Sequence, residues 1–236
     1  MDSILRITEK NGAFRAFAAD TTELVNKAVS IHGLSPTSAA AMGRTLTAAS
    51  IMGLDLKDEK ETVSVQIDGD GPVGAIVTVA DRRGDVRGYI ENPYVDLPLK
   101  NGKLDVSQAV GSGYLTVVRN LGMKEPYIGR VELQTGEIAE DIAYYFMNSQ
   151  QTPSVVALGV LVDIDYTVKA AGGYMIQLLP GANEDVISKI EANVYTLQSV
   201  TEMLSAGMDV QRMARELLLG FEFDIHEVIA PEYKCN

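Results

Sequence analysis

The chain of 236 residues has no tryptophan, one cysteine and two histidines, and it sets 20 lysines and arginines against 32 aspartates and glutamates. Each shortage excludes something. A lone cysteine, Cys235, beside the last residue rules out an intrachain disulfide framework. Two histidines and one cysteine do not close a four-ligand structural zinc site by themselves. A formal net charge of −12 produces a field that repels phosphate backbones and anionic headgroups, so nucleic acid and membrane surfaces are poor partners. No apolar run reaches the roughly 18 residues that a spanning helix needs. The N-terminus MDSILRITEKNG also lacks a basic n-region and a signal-length apolar stretch, which makes a cytoplasmic protein the expectation. With 46% apolar residues the chain is not disordered, and it is long enough for one sizeable core, or one core and a satellite.

What is present is strong local patterning. Ile4, Arg6 and Thr8, then Phe14, Ala16 and Ala18, each share one face of an extended segment on either side of Asn11-Gly12, which predicts a β-ribbon. Leu24, Val25, Ala28, Val29 and Ile31 follow at helical period, from a cap at Thr21 or Thr22 to Gly33. A second helix opens with Ser35 as cap and Pro36 at its first position, and runs through Ala39, Ala40, Ala41, Met42, Leu46, Ala48, Ala49 and Met52 to Gly53. It is small-sided and apolar almost all round. A helix of that kind is buried on more than one face, so strands are expected on both sides of it.

From Glu61 the period changes to two, and a long antiparallel meander is predicted through Val63–Ile67, Val73–Val79 and Val86–Ile90. Further strands are expected at Tyr114–Val118, Tyr127–Leu133, Val155–Val162 and Gly173–Leu179, with a short amphipathic piece at Asp105–Val110 and a helix through Ile138, Ile142, Tyr145 and Phe146. Pro180-Gly181 divides this region from a helical one. Asn183 caps a helix whose stripe, Ile187 to Leu204, is expected to continue to Gly207, and Asp209 caps a second that ends at Leu219-Gly220. The fold class is therefore α+β, with a core domain over 1–181, a helical linker domain over 182–220 and an extended tail over 221–236.

Few residues promise chemistry. Gly69, Gly71 and Gly74 spell G-x-G-x-x-G, but Pro72 leads into the alternating run VGAIVTVA where a nucleotide site needs a helix, so a hairpin turn is the reading. No lysine stands in a phosphate loop, and ATP has no support. His32 and His226 read as capping or surface residues, because no nucleophile elbow stands near either. The enzyme alternative would use a pocket at the glycine turn with Asp68 or Asp70 and an arginine such as Arg87, and acidic pairs such as Glu59 and Glu61 beside turns read more simply as solvated faces than as hydrolase carboxylates. The apolar tail is richer: Leu217, Leu218, Leu219, Phe221, Phe223, Ile225, Val228 and Ile229 either fold back on the core or bind something. A purely structural dimer, made by exchanging the linker helices or the tail after Gly220, is a third reading.

The runs LVNKAVSIHGLSPTSAAAMGRTLTAASIMGLDLK, IDGDGPVGAIVTVADRRGDVRGYIENP, GKLDVSQAVGSGYLTVVRNLG and VVALGVLVDIDYTVKAAGGYMIQLLPGA closely resemble the thirty-three-kilodalton heat-shock chaperonin family (HslO), in the expected order up to Cys235. The resemblance implies a three-layer β/α/β core with a buried helix, which the Ala-rich helix had already suggested, then a helical linker and a zinc domain. It implies a bacterial cytosolic holdase, not an enzyme, that needs no ATP, is quiescent when reduced, and binds unfolding proteins when oxidative stress and heat coincide. Oxidation in the family favours dimers. Clients would meet apolar surface for which Leu217, Leu218, Phe221, Phe223, Ile225, Val228 and Ile229 are the candidates. Cys235 matches the first of four zinc thiolates, C-x-C followed by C-x-x-C, and is the candidate metal and redox residue. The other three thiolates are absent from the sequence, so this chain is expected to bind no zinc and to lack most of the switch.

Overall fold

The computed structural model describes residues 1–234. The expected β-ribbon is β1 (Ser3–Glu9) and β2 (Phe14–Asp20), and α1 (Thr22–His32) ends on Gly33 in the left-handed conformation that glycine adopts without strain. The Ala-rich segment is α2 (Pro36–Gly53). There follow β3 (Thr62–Gly69), β4 (Ile76–Asp81), β5 (Val86–Ile90), α3 (Val106–Val110), β6 (Gly113–Asn120), β7 (Tyr127–Glu132) and α4 (Ala139–Ser149). The chain continues through β8 (Ser154–Val162), β9 (Val168–Leu178), α5 (Glu184–Thr196), α6 (Val200–Ser205), α7 (Val210–Leu217) and β10 (Phe223–Ile229).

The strands form two antiparallel sheets. Sheet A has the order β10-β1-β2-β9-β8 and sheet B the order β5-β4-β3-β6-β7. Helix α2 lies between them and touches both, as its all-round apolar surface requires. Its small residues allow the close approach. A Cβ on Gly43 would come within 2.8 Å of Val25 and 2.9 Å of Val160. Two buried hydroxyls of α2 are satisfied within the helix: Thr45 and Thr47 donate to the carbonyls of Ala41 and Gly43, each at 2.9 Å. One continuous core joins sheet A, α1 to α4 and sheet B, from Phe17 and Ala19 through Met42 and Leu46 to Val65, Ile76 and Val117. A second cluster lies on the opposite face of sheet A, under α5 to α7. The result is the three-layer β/α/β core expected, with the linker helices as an added layer.

Two local expectations differ from the structure. Ser35 stands at the N-cap of α2, but its hydroxyl donates to the Val95 carbonyl at 2.8 Å and accepts the Val95 amide at 3.0 Å, pinning the neighbouring loop rather than the helix. The single helix expected from Asn183 to Gly207 is two. Leu197 turns extended, and Ser199 with Glu202 forms a capping box that starts α6. The tail, whose alternation reads as a strand or an extended arm, is a strand: β10 pairs antiparallel with β1 from Ile4↔Ile229 to Glu9↔Phe223, because β1 would otherwise leave a row of backbone groups open at its second edge.

Candidate functional site

The surface that could be shown to another protein is the outer face of sheet A. Strand alternation puts Leu5, Ile7, Phe14, Ala16, Ala18, Tyr174 and Ile176 on this face, against the Ile4, Phe17 and Ala19 set that faces α2. The helices cover it with one side each. Val200 and Met203 come from α6, Val210, Met213, Ala214 and Leu217 from α7, while α5 buries only Ile190. Caps hold each helix in place: Asn183 accepts the Val186 amide at 3.0 Å and Asp209 the Arg212 amide at 2.7 Å, as the sequence predicts. Asn193 of α5 donates to the carbonyls of Leu217 at 3.1 Å and Leu219 at 3.0 Å, which closes the C-terminal end of α7. Burial raises the Tyr174 phenol above its usual pKa.

The client candidates divide by position. Leu217 and Leu218 are buried beneath this helical layer, at 0% and 1% exposure, so in the docked form they are core and present no surface. Phe221 sets its ring edge-on to Phe14 at 5.0 Å, and Phe223 and Ile229 are half-buried against the two clusters. Ile225 and Val228 are exposed on β10, at 41% and 61%. The apolar run thus packs Leu217, Leu218, Phe221, Phe223 and Ile229 on the core and shows Leu219, Ile225 and Val228 to solvent.

Beyond β10 the chain crosses to sheet B. Val86 donates to the Glu232 carbonyl and accepts from the Lys234 amide, both at 2.9 Å, so Tyr233 forms a parallel bridge on the outer edge of β5. The Tyr233 side chain is 1% exposed; its hydroxyl donates to the Gly88 carbonyl at 2.8 Å and meets His32 Nε2 at 2.6 Å. Asp85 accepts the Glu232 amide at 2.9 Å and pairs with the Lys234 ammonium, which it holds above its usual pKa. This strap closes one side of the sandwich; α4, packed on β7 and β8, closes the other. Cys235 follows immediately and lies outside the described residues.

The glycine turn that the alternative chemistry would use is packed closely. The turn is pressed on α3: a Cβ on Gly69 would meet the Val110 carbonyl at 2.0 Å, and one on Gly71 the Ala109 carbonyl at 2.3 Å. Asp70 accepts the Ser112 amide at 2.7 Å and is committed to that contact. His226 stands exposed on β10.

The profile of the family described as Hsp33 protein matches residues 2–236. The chain belongs to the Hsp33 family. Among its relatives, the 33 kDa chaperonin of Clostridium tetani is 48% identical over 237 residues, covering 100% of this chain and 81% of that one. That of Alkaliphilus metalliredigens is 48% identical over 235 residues, covering 99% and 80%. A crystal structure of the 33 kDa chaperonin, a heat shock protein 33 homologue, from Thermotoga maritima superposes with a TM-score of 0.92 at 35% identity, over 99% of this chain and 80% of that one.

In this Hsp33-family chain the described residues do not fit a zinc site, since no group of three or more His, Cys, Asp or Glu side chains among them could hold a metal. No helix among the described residues is long and apolar enough to cross a membrane. Sequence reasoning missed Asp85, His32 and Tyr233 as a set. The signal was thin: an aromatic and a basic residue, Tyr233-Lys234, directly before the cysteine.

Proposed function

We propose that the chain is an ATP-independent holdase of the cytoplasm, which binds unfolding proteins and keeps them from aggregating, under redox control. The observation that carries this is the second apolar cluster. One whole face of sheet A is covered only by three short helices, and releasing them would uncover Leu5, Ile7, Phe14, Tyr174 and Ile176 together with the helices' own Met203, Met213, Leu217 and Leu218. Apolar area of this kind gains roughly 25 cal/mol per Å² on contact with a client, without directional demands, which suits partners of no fixed sequence. The relatives' name, 33 kDa chaperonin, agrees with it. Redox control rests on Cys235, the chain's one thiol, which follows directly on the strap. Zinc belongs to the proposal only as the partner that Cys235 would meet in a complete four-thiolate set.

The test is light scattering from a thermally unfolding client, with the 236-residue chain reduced and no nucleotide present. Slower aggregation than with an inert protein supports the reading. Aggregation at the inert rate both before and after mild heating, which frees the helices, rejects it. A homodimer by exchange is favoured by one further feature: β10 is reached through Gly220 at φ 78°, and any copy's β10 fits β1 equally well. Mass in solution measured over a range of concentrations decides that point.

A further inference from the structure

The strap on β5 is built like a bound peptide. Its backbone contributes a parallel bridge that any extended chain could make, through the Val86 amide and carbonyl. Its side chains contribute the selectivity. Pro231 and Tyr233 are buried while Glu232 and Lys234 are exposed, the alternation of a strand read from one face. The tyrosine fills a pocket whose floor offers the Gly88 carbonyl as acceptor and His32 as partner, and the following lysine meets the Asp85 carboxylate, which is 7% exposed. An open cleft of about 600 Å³ adjoins the strap, lined by Arg82, Arg83, Glu227 and Val228 among others, and leaves room for a longer segment.

We propose that the outer edge of β5, with the Tyr233 pocket and Asp85, is a docking slot for an extended peptide, filled in cis by Pro231–Lys234 and in trans by a client segment in which an aromatic residue precedes a basic one. This rests on the client-binding reading above. A net charge of −12 steers basic segments toward the protein, and Asp85 orients them on arrival. The cis occupant competes at the millimolar effective concentration of a short tether, so the slot opens to others only when the strap weakens.

The probe is the fluorescein-labelled hexapeptide Ala-Pro-Glu-Tyr-Lys-Gly, read by anisotropy against the 236-residue chain. Tyr233→Ala should bind it about tenfold or more tighter than the unaltered chain, because the in-cis competitor has lost its anchor. Adding Asp85→Asn should cost about tenfold of that gain, the worth of one charge-assisted hydrogen bond. A peptide with alanine for tyrosine should not bind. Equal binding by the unaltered and Tyr233→Ala chains, or by the two peptides, overturns the slot. If hydrogen exchange shows that Tyr233→Ala has lost the protection of sheet B, Lys234→Ala, which trims only the half-exposed end of the strap, carries the same comparison. Client light scattering in parallel separates the two readings. Suppressed aggregation with no peptide binding by any variant rejects the slot alone, and peptide binding without suppression supports the slot while rejecting the client. Peptide lost as the protein is concentrated, with a doubled mass, gives the slot to a second copy and overturns the proposal.

Discussion

Sheet A is apolar on both faces, yet the two faces are covered in different ways. The inner face meets α2, which is buried almost throughout its 18 residues and held between two sheets. The outer face meets α5 to α7, which have one buried side and one wet side, and of these α5 buries a single residue among 13. Area alone does not separate them. What differs is the number of sides on which each layer is held: α2 cannot leave without parting two sheets, whereas the outer helices can leave together with sheet and core intact. The inner face is thus suited to stability and the outer one to release.

The comparison breaks most severely if the inner layer is charged. Ala48→Glu forces a long carboxylate side chain into a fully buried site packed for a methyl group and should abolish the fold, seen as lost amide dispersion and urea sensitivity. Next in size, Leu217→Ala removes a fully buried side chain from α7 and should cost about 3 kcal/mol, but locally. Hydrogen exchange should speed up across 184–217 while β3, β4 and β6 stay protected, and client binding should become constitutive; equal acceleration in both sheets would erase the distinction drawn here. Third, Arg15→Met strips Asp55 of its bidentate partner at 2.6 and 2.7 Å and leaves Arg119 at 3.7 Å as its remaining ion pair, at the far end of the inner layer. About 2 kcal/mol should be lost in urea titration, with no gain of client binding.

The smallest effect is titratable. Asp2 is buried and accepts the amides of Glu23 at 2.8 Å and Leu24 at 2.6 Å at the start of α1; burial raises its pKa to about 6, against the opposing pull of those amides. A carboxyl whose folded pKa exceeds its unfolded value of 3.8 binds its proton more tightly when folded. Its contribution to stability is fully present below 3.8 and is lost as pH rises through about 6. Asp2→Asn should flatten that part of the stability profile and change stability at pH 7 by roughly 1–2 kcal/mol, measured by thermal melts from pH 4 to 8.

How much of this was legible follows from the range of each interaction. The α2 sandwich could be read from Ala39 to Met52 because all-round burial leaves its mark within one helix. The caps at Asn183 and Asp209 were readable for the same reason. The break before α6 was written as Ser199-x-x-Glu202, but Val194, Leu197, Val200 and Leu204 keep helical spacing across it and hid the signal. The strap was not legible: Tyr233 finds Gly88 145 residues away and His32 201 residues away, and no local pattern records such partners. For the tail, alternation allowed a strand or an extended arm but could not name β1 as its neighbour.

That pairing sets a timetable for synthesis. β1 ends at Glu9, and its second neighbour, β10, begins only at Phe223. At roughly 5–20 residues per second the ribosome leaves that edge without its partner for about 10 to 40 seconds. Ile4, Leu5 and Ile7 are then an open strand edge in a nascent chain, the condition in which strands pair with strangers. A protein proposed to protect such edges in others therefore passes through the same hazard itself, and a mutation that slows the closing of β10 should appear first as poor yield from synthesis, before any loss in the finished molecule.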